Sequence, residues 1–184
     1  MSRLNTPATI DAAPASTHTA LRAVEKQLGT VPNLFRVVAN SPAALTGYLQ
    51  LSAASAQGGL DAATRERIAL AVAEINGCGY CLAAHSYLGS HLAKLDDAEI
   101  QANRRGSSHD PKADAAVRFA AAVVHGRGRV DDGQIQALRR AGYSDAQVLD
   151  ILLVVALNTF TNYVNEVAQT EIDFPVVEPV RLAA

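Results

Sequence analysis

The sequence predicts an all-α, single-domain protein, and three observations carry that expectation. Alanine is abundant while aromatic residues make up 5% of the chain and tryptophan is absent, a balance that favours close-packed helices over sheets. Apolar residues recur at spacings of three and four through most of the chain. Cap signals punctuate it at Ser41-Pro42, Asp61, Asp110-Pro111 and Ser144, where helices are expected to start. With 184 residues, 49% of them hydrophobic, the chain can bury one substantial core.

Residues 1–16 mix Pro7, Pro14, serine, threonine and alanine without a sustained period, and read as an extended arm. A first helix begins near Thr17 or Thr19, with Leu21, Val24 and Leu28 at helical spacing and Gly29 as its stop. After Val31-Pro32, a short helix from Asn33 carries Leu34, Val37 and Val38 to near Asn40. Ser41-Pro42 opens a helix over 42–57 in the favoured cap and first-turn arrangement, ahead of Gly58-Gly59. Asp61 caps a segment over 62–76 almost free of breakers, with Ile68, Val72 and Ile75 as its apolar stripe, and Asn76-Gly77 interrupts it.

The helical pattern resumes over 79–95, followed by a short helix over 97–103 and a polar turn through Gly106-Ser107-Ser108. Asp110-Pro111 opens a helix to about His125. Gly126-Arg127-Gly128 ends it, a helix stop rather than an anion nest, since no strand precedes the glycines. Asp131 starts another helix that stops near Gly142. Ser144 with Gln147 forms a capping box for a strongly apolar helix through Val148, Ile151, Leu152, Val155 and Phe160 to about Ala168. Pro175 and Pro179 mark 171–184 as an extended tail, which leaves 17–170 as the helical domain, without repeat or linker.

Sixteen basic and 18 acidic residues give a net charge of −2 with no long run of one sign, which argues against a nucleic-acid partner or an anionic membrane surface. The longest apolar stretch, 151–157, is far short of the roughly 20 residues that cross a bilayer. The N-terminus lacks the apolar core of a secretory signal. The expectation is a soluble, cytoplasmic protein. Its two cysteines are too few for a disulfide framework, so their value is chemical.

Those cysteines lie together in Cys78-Gly79-Tyr80-Cys81-Leu82-Ala83-Ala84-His85. Two thiols three apart can meet across one helical turn and close a disulfide reversibly. A helix starting near Gly79 would favour thiolate in its first turn through unsatisfied N–H groups and its dipole. His85, four residues after Cys81 and seven after Cys78, projects from the same face. Its imidazole, with an ordinary pKa of about 6.5, suits taking a thiol proton.

Other readings of these residues are available. The cysteines could be two small core residues. A structural zinc site would need ligands that no second cysteine pair supplies, and His91 points away from the His85 face. A thioredoxin-like unit would place a strand before the motif, where a long helix is expected instead. Glu66 or Glu74 could complete a proton relay, and spacing does not choose between them. His18, His109 and His125 lack carboxylate partners at ligand spacing and read as surface or cap residues. Asn158, Thr159, Thr161 and Asn162 interrupt an apolar helix and, if buried, need hydrogen-bond partners; a network tying helices together is the ordinary role for them.

The stretch from Arg65-Glu66-Arg67 through Ala73-Glu74-Ile75-Asn76-Gly77 to His85 resembles the core of the alkylhydroperoxidase D and carboxymuconolactone decarboxylase superfamily, and within it the peroxidase-related branch. Val31-Pro32-Asn33-Leu34-Phe35 with Ser41-Pro42, and Ala156-Leu157-Asn158-Thr159-Phe160-Thr161-Asn162, are similar to flanking segments of the same proteins. The active-site pattern of alkylhydroperoxidase D is a glutamate, eleven residues, then C-x-H-C-x-x-x-H; Glu66, Cys78, Cys81 and His85 match it, while Tyr80 stands at the first histidine. With a pKa of about 10, tyrosine is a poor base at neutral pH.

The resemblance implies an all-helical bundle of the alkylhydroperoxidase D type that assembles as a trimer or hexamer. It implies a peroxidase in which Cys81 attacks a hydroperoxide, Cys78 resolves the product as a disulfide, and His85 and Glu66 relay protons. No cofactor is expected to be bound; an external dithiol, in this family sometimes a lipoyl-bearing protein, would reopen the disulfide. Alternatives on the same scaffold are a lactone decarboxylase or isomerase using His85, and a redox sensor or disulfide-exchange protein.

Overall fold

Capping side chains set most of the helix starts. The computed structural model describes residues 2–180 and, among them, nine α-helices and no strand. They are α1 (His18–Leu28), α2 (Asn33–Val38), α3 (Pro42–Gln57), α4 (Ala62–Ile75), α5 (Gly79–His91), α6 (Asp97–Arg104), α7 (Pro111–Gly126), α8 (Asp132–Arg140) and α9 (Asp145–Ala168). The side chains of Ser41, Asp61, Asp96, Asp110, Asp131 and Ser144 each accept a backbone N–H from the first turn they precede, satisfying donors that a helix leaves open. Capping boxes close the starts of both α8 and α9.

At the centre lies α4, packed against α5, α6, α7 and α9. Six consecutive residues, Ile68 to Ala73, are buried, so this helix is apolar all round in its middle rather than striped as the sequence suggests. Leu70 and Ala73 join the cluster formed with α1, α2, α3 and α5, whereas Ile68, Ala71 and Val72 join the one formed with α7, α8 and α9. A helix sandwiched between two cores has no solvent face to keep polar, and its alanines allow the neighbours close approach.

Two segments depart from expectation. α5 ends at His91, short of residue 95, because Lys94 adopts the left-handed conformation (φ 59°) and Leu95 N–H turns back to the Gly89 carbonyl at 3.0 Å. That turn buries Leu95 and leaves Leu92 exposed. The N-terminal arm is folded rather than extended: it forms two 3₁₀ turns, Ile10–Ala12 and Ala15–Thr17, and buries Ala13. The Arg36 guanidinium holds the arm by donating to the Pro7 and Ala8 carbonyls.

α9 has the length and hydropathy of a bilayer-crossing helix, yet one face buries Asn158, Thr161, Asn162 and Asn165 inside the protein. Its outer face leaves Leu149, Leu152, Phe160, Tyr163 and Val167 exposed. Beyond α9 the chain is extended to residue 180; the end of the expected tail, 181–184, lies outside the described residues.

Candidate active site

The turn between α4 and α5 creates the site. Gly77 takes a left-handed conformation (φ 67°), and the Cys78 N–H bonds to the Ala73 carbonyl at 2.9 Å. Cys78 then serves as the N-cap of α5, its Sγ accepting the Cys81 N–H at 3.3 Å. The two thiols lie close enough that each shifts the other's ionisation. Both are free thiols, 0% and 3% exposed respectively, so neither sulfur is in open contact with solvent.

Their environments differ. A hydrogen bond from Cys78 holds the Cys81 thiol down to about 7, against the opposing effect of burial and with help from His85, Asn165 and Asn162. The same hydrogen bond, with burial and the charge on Cys81, pushes the Cys78 thiol far up. The pair is asymmetric: Cys81 is the thiol held down and Cys78 the one pushed up, which favours the thiolate at Cys81.

His85 lies one turn beyond Cys81 on α5, and its Nδ1 is 2.8 Å from Glu66 Oε2 on α4. Burial alone would disfavour imidazolium, but the Glu66 carboxylate, with contributions from Cys81 and Asn158, raises its pKa above the ordinary value. The structure thus gathers Glu66, His85, Cys81 and Cys78 in one place. Glu74, the other candidate, is drawn elsewhere: its Oε2 accepts from Arg104 Nε at 2.6 Å and its Oε1 from Val180 N–H at 2.5 Å.

Tyr80 is also outside the relay. Its hydroxyl donates to Asp173 Oδ1 at 2.7 Å and accepts the Leu34 N–H at 3.2 Å, while Asp173 Oδ2 accepts the Asn33 N–H at 2.8 Å. Phe174 meets the Tyr80 ring edge-on at 5.9 Å. The residue at the family's histidine position fastens the C-terminal segment across the start of α5, where Ile172 and Pro179 also lie against Gly79.

Several contributors come from α9 and α3. Asn165 Nδ2 donates to Cys81 Sγ at 3.3 Å. Asn162 Oδ1 accepts from Asn76 Nδ2 at 2.8 Å, Asn162 also helps to hold the Cys81 thiol down, and Asn158 helps to raise His85. Asn158 and Asn162 stood out in the sequence as polar interruptions, whereas Asn165 did not. Tyr48 of α3 lies near enough to Cys81 and Glu66 that their charges add to burial in opposing its ionisation. It stacks obliquely between Phe35 and Phe160, at 5.4 and 6.3 Å; no motif signals it.

The remaining histidines lie away from the dithiol. His18 contacts the Ala13 carbonyl, His91 stacks on Tyr87, His109 faces Glu99, and His125 lines a groove with Glu74 and Arg104. Among the described residues no group of three or more His, Cys, Asp or Glu side chains is arranged to hold a metal.

Residues 41–120 match the carboxymuconolactone decarboxylase family. The fold is that of an uncharacterised peroxidase-related protein from Ralstonia eutropha JMP134 with an alkylhydroperoxidase AhpD core (24% identity over 94% of this chain and 92% of that one, TM-score 0.84). An uncharacterised peroxidase-related protein from Silicibacter sp. TM1040 shares it (24% identity, 93% and 94% covered, TM-score 0.79). So does the debrominase Bmp8, in a Cys-to-Ala variant bound to 2,3,4-tribromopyrrole (21% identity, 94% of each chain covered, TM-score 0.78). No curated protein matches the sequence. The family match is confined to residues 41–120, and the likeness to the solved structures, all below 25% identity, is one of fold.

Proposed function

We propose that this chain is a thiol-dependent peroxidase that reduces hydroperoxides through a Cys78–Cys81 disulfide. The observation that carries the reading is the asymmetry of the pair: Cys81 is the thiol held down to about 7, with His85 one turn away and locked to Glu66. The Cys81 thiolate attacks the outer peroxide oxygen. The O–O bond breaks, the alkoxide or hydroxide leaves with a proton from His85, and Cys81 becomes a sulfenic acid. Glu66 keeps Nδ1 engaged, so that Nε2 is the ring atom left to exchange protons. Cys78 then displaces water to form the disulfide, and an external dithiol takes the oxidising equivalents.

The test is mass mapping of Cys78 and Cys81 before and after one equivalent of hydroperoxide, with turnover measured on dithiothreitol and dihydrolipoamide. Disulfide formation and turnover are expected, both lost in Cys81→Ser. A Cys81→Ser variant as active as the parent would overturn the reading.

The likeness to a debrominase, together with the aromatic row of Phe35, Tyr48 and Phe160, of which Tyr48 lies near Cys81, favours one second reading. The same two thiols could deliver two electrons and a proton to a bromoarene, releasing bromide and forming the same disulfide. Bromide release from a bromopyrrole, without hydroperoxide consumption, would select it.

The exposed apolar stripe of α9 supports assembly as a homo-oligomer, since contiguous apolar surface of this kind marks association faces. A soluble cytoplasmic protein, served by a dithiol reductant such as a lipoyl-bearing protein, fits the same reading.

A further inference from the structure

Asn165 of α9 touches a reacting atom directly, its Nδ2 donating to Cys81 Sγ at 3.3 Å. The residue is 2% exposed, and among the described residues the other end of the same amide, Oδ1, is buried without a hydrogen-bond partner. Nearby acceptors are engaged: Asn162 Oδ1 takes the Asn76 amide at 2.8 Å, and Glu66 Oε2 faces His85 Nδ1 at 2.8 Å.

The sulfur decides which end of the Asn165 amide it meets. A thiolate has no proton to give and only accepts, so the amide presents its NH₂ to Cys81 and its carbonyl oxygen is left over. A buried acceptor left unmade opposes folding, and a leucine of nearly the same size would avoid that cost. The oxygen has a use once a donor arrives beside Cys81 during the reaction. A hydroperoxide brings one, the O–H of the outer oxygen that Cys81 attacks.

We infer that Asn165 is a catalytic residue that binds the transferred hydroxyl, its Oδ1 accepting the O–H of the outer peroxide oxygen, first in the bound peroxide and then in the Cys81 sulfenic acid. This deepens the peroxidase reading and rests on it. The thiolate electron pair forms the S–O bond, the O–O pair departs with the alkoxide or hydroxide, and His85 protonates that leaving oxygen. The hydrogen on the outer oxygen is not transferred; it stays on that oxygen and keeps pointing at Oδ1. One amide therefore contacts both atoms of the new bond, the sulfur through Nδ2 and the oxygen through Oδ1, and aligns them before they react. The substrate class follows: peroxides that carry an O–H, hydrogen peroxide among them, rather than dialkyl peroxides.

The test compares the parent, Asn165→Leu and Asn165→Asp. Ionisation of Cys81 is read from the ultraviolet thiolate absorbance against a Cys81→Ser blank. Sulfenic acid formation with hydrogen peroxide is then timed in single-turnover reactions, by dimedone trapping at Cys81, at a pH where Cys81 is fully ionised in each protein. Leucine removes both ends of the amide: the titration midpoint should rise, and the fully ionised protein should still react roughly tenfold more slowly, in the range for one hydrogen bond. Aspartate loses the donor but keeps the acceptor: its midpoint should rise at least as far, while its fully ionised rate stays within a few-fold of the parent. Should leucine prevent folding, Asn165→Ala takes its place with the same expectation.

A loss in Asn165→Leu that vanishes once Cys81 is fully ionised would overturn the inference, because Oδ1 would then add nothing to what Nδ2 does. Leucine and aspartate variants slowed alike at full ionisation would overturn it too, since that is the mark of a structural role. In both cases the parent still reacts and the peroxidase reading stands. A parent that forms no sulfenic acid with hydrogen peroxide would overturn that reading, and with it the inference that rests on it.

Discussion

Glu66 and Arg67 are neighbours on α4, and each reaches a different ionic cluster. Glu66 points to the dithiol through His85, while Arg67 reaches Glu99 at 2.7 Å. The Glu99 carboxylate is saturated: Oε1 accepts from Arg67, Asn103 and Ser108, and Oε2 from the His109 N–H. Against the cost of burial, these donors pull its pKa down to about 2. The Glu99 cluster leaves Asn103 Oδ1 unpartnered but engages its carboxylate fully, whereas beside the dithiol both Asn162 Nδ2 and Asn165 Oδ1 are buried and unpartnered. A saturated cluster holds one protonation state and so ties α4, α6 and the loop before α7 together. An under-satisfied one can change charge during a reaction and find its partners as it does so.

The contrast can be broken most forcefully at the saturated end. Removing one member of a buried charge pair typically costs about 3–5 kcal/mol, so Glu99→Ala should lower the unfolding free energy by that order in a denaturant titration. The linked pH dependence has a definite sign. Because the folded pKa lies below the ordinary carboxylate value, the stabilisation is present above about pH 4.5 and is lost as pH falls toward 2. A Glu99→Ala protein should show a flatter acid limb than the parent; an unchanged midpoint would remove the structural role.

At the reactive end, Glu66→Gln should leave the unfolding midpoint nearly unmoved while slowing peroxide-driven oxidation of Cys81 about 10²-fold, within the range for a disrupted acid–base partner. Stopped-flow kinetics and a denaturation curve on the same preparation measure both. Equal damage to stability and rate would mean that the two clusters do not differ in kind.

Titration offers a smaller effect. With the Cys81 thiol near 7, oxidation at pH 6 should be about tenfold slower than at full ionisation, since only the thiolate reacts. Cys78→Ala removes the hydrogen bond that contributes most to this lowering and should shift the acid limb of sulfenic acid formation to higher pH. A limb that stays in place would assign the thiolate to other neighbours.

Most helix starts were legible in the sequence because a cap is local: Ser41, Asp61, Asp110, Asp131 and Ser144 each act within three residues of themselves. The end of α5 was less so, since the left-handed turn at Lys94 uses a residue without the usual glycine signature. Cys78, Cys81 and His85 could be read as a group because they share the start of α5, while Glu66 entered through the resemblance to the alkylhydroperoxidase D pattern. What draws Glu74 away from the site, Arg104 thirty residues on and the C-terminal tail, is beyond the reach of spacing. Asn165 and Tyr48 come from α9 and α3, whose placement near Cys81 no spacing rule reports.

Tyr80 gives the smallest expected effect and the sharpest check on what the site excludes. Its hydroxyl holds Asp173 and the Leu34 N–H, so Tyr80→Phe should cost about 1–3 kcal/mol through donors and acceptors left unpaired. That loss should be felt locally: hydrogen exchange is expected to quicken in residues 170–180 and at the start of α2, while the core of α4 keeps its protection. Cys81 oxidation should stay within a few-fold of the parent, because the phenol faces the tail and not the sulfur. If Tyr80→Phe instead slowed oxidation as far as Glu66→Gln does, the tyrosine would have to be restored to the proton relay from which its hydrogen bonds remove it.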